Sequence, residues 1–322
     1  VACVLASLIV AGCSGPQSAL DPAGESGARL ADLFWLLTFG ALAIWAAAVA
    51  LWLWGVYFAR RPLGPGRRRL LLIGGGVVVP TVLLAAVLSY SLAMLPELLE
   101  PAPEGSLRIE VVGYQWWWRV TYIPPTGEPV ESANEVRLPV GQPVRLDLES
   151  RDVIHSFWIP PLGGKMDMIP GRRNTLSLLP NETGTFRGAC AEYCGSSHAL
   201  MALAVVVMES ADFEAWLEAE RAPAGVAEGS EQQVGAEVFL ASGCGACHAV
   251  RGTPADGTVG PDLTHVGGRL TIGAGTLPTT RESLRLFVAE TEQVKPGVLM
   301  PSFGMLPDAD LSAIAAYLES LR

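Results

Sequence analysis

The stretch Cys190-Ala-Glu-Tyr-Cys194-Gly-Ser-Ser-His198-Ala-Leu-Met201, read with the upstream pair His155-Ser156, decides how the rest of this chain is understood. Two thiols, an imidazole and a thioether fall within one short segment, and His155 offers a second imidazole from elsewhere in the fold. Soft thiolate and thioether donors combined with imidazole suit copper better than a hard cation. Cys190 and Cys194 are too close in sequence to form an unstrained disulfide easily, but are well spaced for each sulfur to bridge two metal ions. A disulfide is the competing reading, and it leaves His155, His198 and Met201 without a task.

The stretches Asp152-Val-Ile-His155-Ser-Phe-Trp-Ile-Pro160, Gly163-Gly-Lys-Met-Asp-Met-Ile-Pro-Gly-Arg172 and Cys190 to Met201 together resemble the CuA-binding subunit II of haem-copper cytochrome c oxidases. The resemblance implies a dinuclear copper centre with Cys190 and Cys194 bridging. His155, His198, Met201 and the main-chain carbonyl of Glu192 would complete it. It also implies that the Glu192 carboxylate helps hold a magnesium ion shared with subunit I, and that Trp116 lies over the copper site as the point where electrons enter. Such a centre passes electrons and makes no bonds.

The 322 residues allow two or three domains, and a 50% apolar content with positive mean hydropathy calls for membrane spans. Residues 33–59 run without a charge and carry Trp35, Trp45, Trp52, Trp54 and Tyr57, and residues 70–96 form a second uncharged run containing Pro80. Each is long enough to cross a bilayer. The intervening Arg60-Arg-Pro-Leu-Gly-Pro-Gly-Arg67-Arg-Arg69 has five arginines and no acid, which places this loop in the cytoplasm and both flanks outside. Where many members of the family carry a Glu linked to proton uptake, this chain has Ile73-Gly-Gly-Gly-Val-Val-Val-Pro80, so that role loses its basis here.

Ahead of the spans, residues 1–13 resemble a bacterial lipoprotein signal with Cys13 as the acylated residue, and residues 14–32 read as a small, polar periplasmic linker. Behind the 33–96 hairpin, residues 97–221 show alternating runs at Leu107-Arg-Ile-Glu-Val-Val112 and Val144-Arg-Leu-Asp-Leu-Glu149, and a buried-strand run from Met201. Short strands at this spacing predict a β-sandwich or barrel, and the resemblance makes it cupredoxin-like. Gly113-Tyr-Gln-Trp-Trp-Trp-Arg119 is expected as an aromatic cluster on the first strand. Residues 222–230 read as a flexible linker.

From residue 231 a different domain is expected. Cys244-Gly-Ala-Cys247-His248 is a haem c attachment motif, with thioethers at both cysteines and His248 on the iron. Gly260-Pro-Asp-Leu-Thr-His-Val-Gly-Gly268, Gly297-Val-Leu-Met300-Pro301 and a helix from Asp308 resemble the loops and last helix of small, all-α c-type cytochromes. Met300 is the expected distal ligand, preferred over Met305, and His265 is left outside the ligand set.

The expected architecture is therefore a multidomain membrane protein: a two-helix transmembrane hairpin, a cupredoxin-like copper domain and a fused cytochrome c domain, as in caa-type oxidases. The implied task is to pass electrons from an upstream cytochrome c or quinol–cytochrome c reductase to a partner subunit I. That subunit reduces oxygen to water with proton translocation, subunit III is a further expected partner, and the complex lies in the bacterial inner membrane with both redox domains periplasmic. The net charge of −10 argues against nucleic acid as a partner. A copper subunit of a nitric oxide reductase and a stand-alone tethered electron carrier are the alternatives.

Overall fold

The computed structural model describes residues 13–58 and 63–322. The signal-like residues 1–12, and Arg60 and Arg61 of the basic loop, lie outside the described residues.

Two helices, α1 (Glu25–Tyr57) and α2 (Pro65–Leu98), are long and apolar enough to cross a membrane, and the apolar windows of both have no buried residues. Side chains such as Trp45, Trp52, Leu72 and Leu84 are all more than half exposed, which is tolerable only in a lipid surround. α1 starts before the uncharged run at residue 33, because helix formation responds to backbone propensity and the end of charge marks only the apolar boundary. Within α2 the turns Leu70–Val78 are π-helical and regular α-helix resumes at Val79, with Pro80 at its start. Pro80 has no N–H to donate, and three consecutive glycines precede it closely, so the irregular turns sit where the ladder is weakest.

The second unit contains everything from Pro101 onward together with the segment before Arg29. Its β domain is a sandwich of two five-stranded sheets. One runs β3 (Val130–Ala133), β2 (Trp117–Ile123), β1 (Leu107–Tyr114), β5 (Val144–Ser150), β8 (Asn174–Leu178). The other runs β4 (Glu135–Pro139), β10 (Ala202–Met208), β9 (Gly184–Cys190), β6 (His155–Trp158), β7 (Met166–Met168). Most neighbours are antiparallel, but β1 lies parallel to β5 and β10 parallel to β4. Period-2 alternation turns Ile109, Val111, Leu146, Leu148, Val205 and Val207 inward, with Trp118, Tyr122 and Phe157 filling the space between sheets.

Three expectations need correcting. The aromatic cluster at 113–119 occupies no single strand: Tyr114 ends β1 and Trp117 begins β2, with Gln115 and Trp116 in the turn between them. Alternation cannot show this, since aromatic residues continue straight through the reversal. The segment from Cys13 to Gly27, expected as a linker, is a strap on the β domain: Arg187 donates to the Pro16 carbonyl (2.8 Å), Ala23 N to Pro161 (2.8 Å) and Glu25 N to Leu179 (3.1 Å). Its glycines are what allow the approach, since a Cβ on Gly24 would sit 2.6 Å from the Leu162 carbonyl oxygen. Residues 222–230 are likewise not loose. Ala224 N donates to the Arg251 carbonyl (2.9 Å), and Ala224 and Ala227 pack on the C-terminal core.

α3 (Ser210–Arg221) closes the β domain, burying Phe213 and Leu217. The C-terminal domain comprises α4 (Ser230–Ala241), a short hairpin β11 (Thr271–Ile272) and β12 (Leu277–Pro278), α5 (Arg281–Ala289), α6 (Thr291–Val294) and α7 (Asp308–Ser320). α4 and α7 cross at Gly235, where a Cβ would lie 2.0 Å from the Ala313 carbonyl oxygen. Phe239 meets Tyr317 edge-on at the same crossing.

Candidate metal centre and haem site

The loop from Cys190 to Met201 joins β9 to β10, and its ends are tied before any metal is considered. Cys190 N donates to the Met201 carbonyl (2.8 Å), and Ala191 N to the Ser156 carbonyl (2.9 Å). His155 opens β6, which pairs with β9, so the upstream imidazole reaches the loop through sheet register. The donor atoms of His155, Cys190 and Cys194 all lie within 4.8 Å of one another.

The two Sγ atoms stand 3.8 Å apart, far beyond the roughly 2.05 Å of a disulfide. Around them are His155 Nδ1 (3.8 Å from Cys190 Sγ), the Glu192 carbonyl oxygen (3.2 Å from Cys190 Sγ), His198 Nδ1 (3.5 Å from Cys194 Sγ) and Met201 Sδ (3.8 Å from Cys194 Sγ). All six expected copper donors converge. His155, Cys190, Cys194 and Met201 are buried, while His198 and Glu192 are half-buried, with the exposed Tyr193 ring 5.7 Å from the His198 ring. The Cys194 thiol hydrogen-bonds Cys190 and holds it as a thiolate, well below the usual thiol range, and Cys194 is raised in return. The donor set fits a pair of copper ions, whose charge would keep both sulfurs deprotonated.

Residues beyond the expected ligands hold the set in place. Asp152 accepts from His155 Nε2 (2.8 Å), so Nδ1 is the nitrogen left to face Cys190. Asp152 in turn accepts from Gln115 N and Val153 N, both at 2.7 Å. Burial alone would lower the His155 imidazolium, but Cys190 and Asp152 outweigh it and raise the pKa. Gly113 forms the wall behind the ring, where a Cβ would lie 2.9 Å from His155 Cδ2. Trp116 donates from Nε1 to the Cys194 carbonyl (2.9 Å), and Gln115 Nε2 donates to the same oxygen (2.7 Å). Trp116 is only 6% exposed, because Gly297 of the C-terminal domain packs on its ring.

In the C-terminal domain, Cys244 is half-buried and Cys247 exposed. Gly257 N donates to Gly245 O (3.0 Å) and Gly260 N to Cys247 O (2.7 Å), and a Cβ on Gly260 would lie 2.5 Å from the His248 ring. His248 Nδ1 donates to the Pro261 carbonyl (2.8 Å), which leaves Nε2 with its lone pair. Burial lowers the His248 pKa and keeps the ring neutral, as an iron ligand must be. Met300 packs half-buried on the domain core, whereas Met305 is 77% exposed. The chemistry of the donors fits haem c. His265 is buried with Nε2 bonded to the Ala222 carbonyl (3.0 Å), a structural tie to the interdomain segment.

The two domains meet across a polar seam. Arg119 Nη2 donates to the Thr258 carbonyl (2.5 Å), Leu270 N to Glu135 Oε2 (2.8 Å), and Arg251 Nη2 to the Glu220 carbonyl (2.5 Å). Within the C-terminal domain Arg251 pairs with Asp262 at 2.8 Å, and Arg269, buried and lowered by desolvation, donates to the Asp262 carbonyl (2.6 Å). A cavity of about 520 Å³ at this seam is bounded by Glu131, Arg221, Arg251 and Asp262, each of which has an ion-pair partner, and lies apart from both ligand sets. Closer to the copper loop the seam holds Lys295, 2% exposed, whose Nζ donates to the carbonyls of Leu200 (2.9 Å) and Gly273 (2.6 Å). Burial pushes its ammonium down to about 7. Neither Asp152 nor Lys295 is evident as a functional residue from its type, although Asp152 stands one helical turn's spacing before a ligand.

Residues 126–209 match the model of the cytochrome c oxidase subunit II periplasmic domain, and residues 232–322 match that of cytochrome c. Cytochrome c oxidase subunit 2 of Alkalihalophilus pseudofirmus is 38% identical over 227 residues, 69% of this chain and 64% of its own. The chain thus spans just under two thirds of that relative. The Bacillus subtilis subunit 2 is 29% identical over 346 residues, covering 99% and 96% of the two chains. The probable subunit 2 of Streptomyces coelicolor is 30% identical over 253 residues, 59% of this chain and 78% of its own.

Proposed function

Because the chain belongs to the cytochrome c oxidase subunit II family and continues into a cytochrome c domain, we propose that it is the electron-transfer subunit of a respiratory haem-copper oxidase. It takes electrons from an upstream cytochrome c or quinol–cytochrome c reductase complex. It delivers them to a catalytic subunit I, accompanied by subunit III, where oxygen is reduced to water and protons are translocated. When bound, haem c and dinuclear CuA supply reversible one-electron chemistry. Cys244, Cys247, His248 and Met300 would hold the haem, and His155, Cys190, Glu192 O, Cys194, His198 and Met201 the copper.

The observation that carries this reading is the convergence of five soft or borderline donors and one carbonyl oxygen, His155 from β6 and the rest from a loop braced at both ends, with neighbouring donors 3.2 to 3.8 Å apart. A metal that changes charge by one electron transfers it fastest when its ligands do not move, and the site is built accordingly. Gly113 lets the main chain pack directly against the His155 ring, Asp152 fixes its tautomer, and two donors hold the Cys194 carbonyl. Trp116, covered by the fused domain, receives electrons from that domain in this reading instead of from a diffusing carrier. The Glu192 carboxylate, half-buried, would serve as a magnesium ligand shared with subunit I in this reading. The basic loop before α2 faces the cytoplasm of the inner membrane, both redox domains face the periplasm, and Cys13 carries the lipid.

The test is metal and haem analysis of the complex purified from membranes, with visible and near-infrared spectra. Two coppers and one haem c per chain in a complex that consumes oxygen are the expected result. Consumption of nitric oxide instead would reassign the complex to a nitric oxide reductase. Isolation of the chain alone in redox-active form would make it a tethered carrier.

A further inference from the structure

The C-terminal domain covers the copper loop in a specific manner that the family likeness does not account for. The hairpin β11–β12 carries its tip, Gly273 to Thr276, onto the start of β10. Ala202 N donates to the Ala274 carbonyl (2.9 Å), and a Cβ on Gly275 would stand 2.9 Å from Ala202 Cβ. Thr276 Oγ1 donates to Gly273 O (2.6 Å) and reaches Leu200 O (3.4 Å), the two carbonyls that Lys295 also holds. On the other side of the loop, Ser197, 1% exposed, donates to the Pro296 carbonyl (2.6 Å). Gly297, with φ of +83°, then lies flat on Trp116.

Lys295 stands where these contacts meet. Burying an ammonium between carbonyls without a carboxylate partner is expensive, and an apolar side chain of the same length would fill the space at no such cost. What the amine adds is directional: three N–H donors that reach carbonyls from two domains at once. One of these carbonyls precedes the copper ligand Met201, and the amine's own backbone leads through Pro296 and Gly297 to the haem ligand Met300. We propose that Lys295 is the positioning residue that locks the cytochrome c domain onto the copper loop, by joining the Leu200 carbonyl of one domain to the Gly273 carbonyl of the other. The distal haem loop is thereby held against Trp116, and transfer between the centres proceeds within a permanently docked pair. This rests on the ligand assignments under Proposed function.

The experiment uses the full chain with both centres loaded, as wild type and Lys295→Met. Hydrogen exchange at Ala202 and across 270–276 is expected to rise at least about tenfold in the variant, because both hydrogen bonds from the Lys295 amine, to Leu200 O and Gly273 O, are lost. The haem and copper spectra stay unchanged. After flash reduction of the haem, the first-order transfer to copper slows by a similar factor and becomes dependent on viscosity, which a locked pair is not. Exchange and rate both within twofold of wild type, with spectra intact, would overturn the lock. If wild type itself shows no transfer from haem to copper, the proposed function fails, and the lock is then judged on exchange alone. Should Lys295→Met not fold, amine acylation of the wild type decides. The chain has two lysines, and half-exposed Lys165 should react at least about tenfold faster than Lys295. Equal labelling would refute the docked arrangement.

Discussion

Replacing Asp152 by Asn removes a charge from the copper site without removing a shape. The carboxylate accepts His155 Nε2 at 2.8 Å and the Gln115 and Val153 amides at 2.7 Å each, and its side chain is 31% exposed. A hydrogen bond to a charged group contributes about 1.5–3 kcal/mol, and the partial exposure reduces this to about 1–2 kcal/mol because solvent screens the charge. The Asn carbonyl can still take the place of Oδ1, which accepts both His155 Nε2 and Val153 N, but the amide nitrogen in place of Oδ2 cannot accept from Gln115 N, and the neutral side chain no longer pushes electron density into the imidazole. Copper affinity should therefore fall about tenfold, within the range that loss of a ligand's hydrogen-bond partner produces. Competition against a copper chelator of known affinity, with the near-infrared band as readout, measures it. Affinity within twofold of wild type would refute the argument that Asp152 selects the His155 tautomer. Complete loss of copper in a folded domain would show that the charge, and not the hydrogen bond, holds the site.

Cys194→Ser should abolish the dinuclear copper spectrum and leave haem attached, as metal analysis and pyridine haemochrome spectra would show; unchanged copper absorption would contradict the ligand set. Met300→Ala should lower the haem potential in a redox titration without altering copper content, since thioether ligation raises it. Gly235→Ala forces a Cβ to within 2.0 Å of the Ala313 carbonyl oxygen, so the α4–α7 crossing must open, at about 1–3 kcal/mol. A thermal melt followed in the haem band that is unshifted would show that the crossing yields freely. Desolvation would raise the Asp147 carboxyl, but Arg145 and Arg108 outweigh it and hold it below the usual carboxylate range. Its contribution is therefore complete above the unfolded value of about 3.9 and lost as pH falls through the lower folded value. Asp147→Asn should be less stable than wild type at pH 7, with the gap closing below about pH 4 in urea melts.

The donor set was legible because chemistry restricts it: few tasks place two thiols, an imidazole and a thioether on one short loop, or Cys244, Cys247 and His248 in that order. The strands were legible wherever one face is buried, as at Leu107–Tyr114 and Val144–Ser150. The turn at Gln115 and Trp116 was not, since both neighbouring strands are aromatic and the pattern has no break. The Cys13–Gly27 strap and the 222–230 segment misled for one reason. Small residues read as loose, yet Gly24 and Ala224 are small because another backbone lies against them. Lys295 carried no signal at all, because its importance lies in two carbonyls, 95 and 22 residues away in sequence, which only the docked domains bring together.

Among the side chains proposed to hold copper, His198 is the one that is not fully enclosed, and the open ring of Tyr193 stands next to it. With copper held as proposed, a chelator or an oxidant would meet the metal first on that flank, and a partner resting on the Tyr193 side would slow its exchange with solvent.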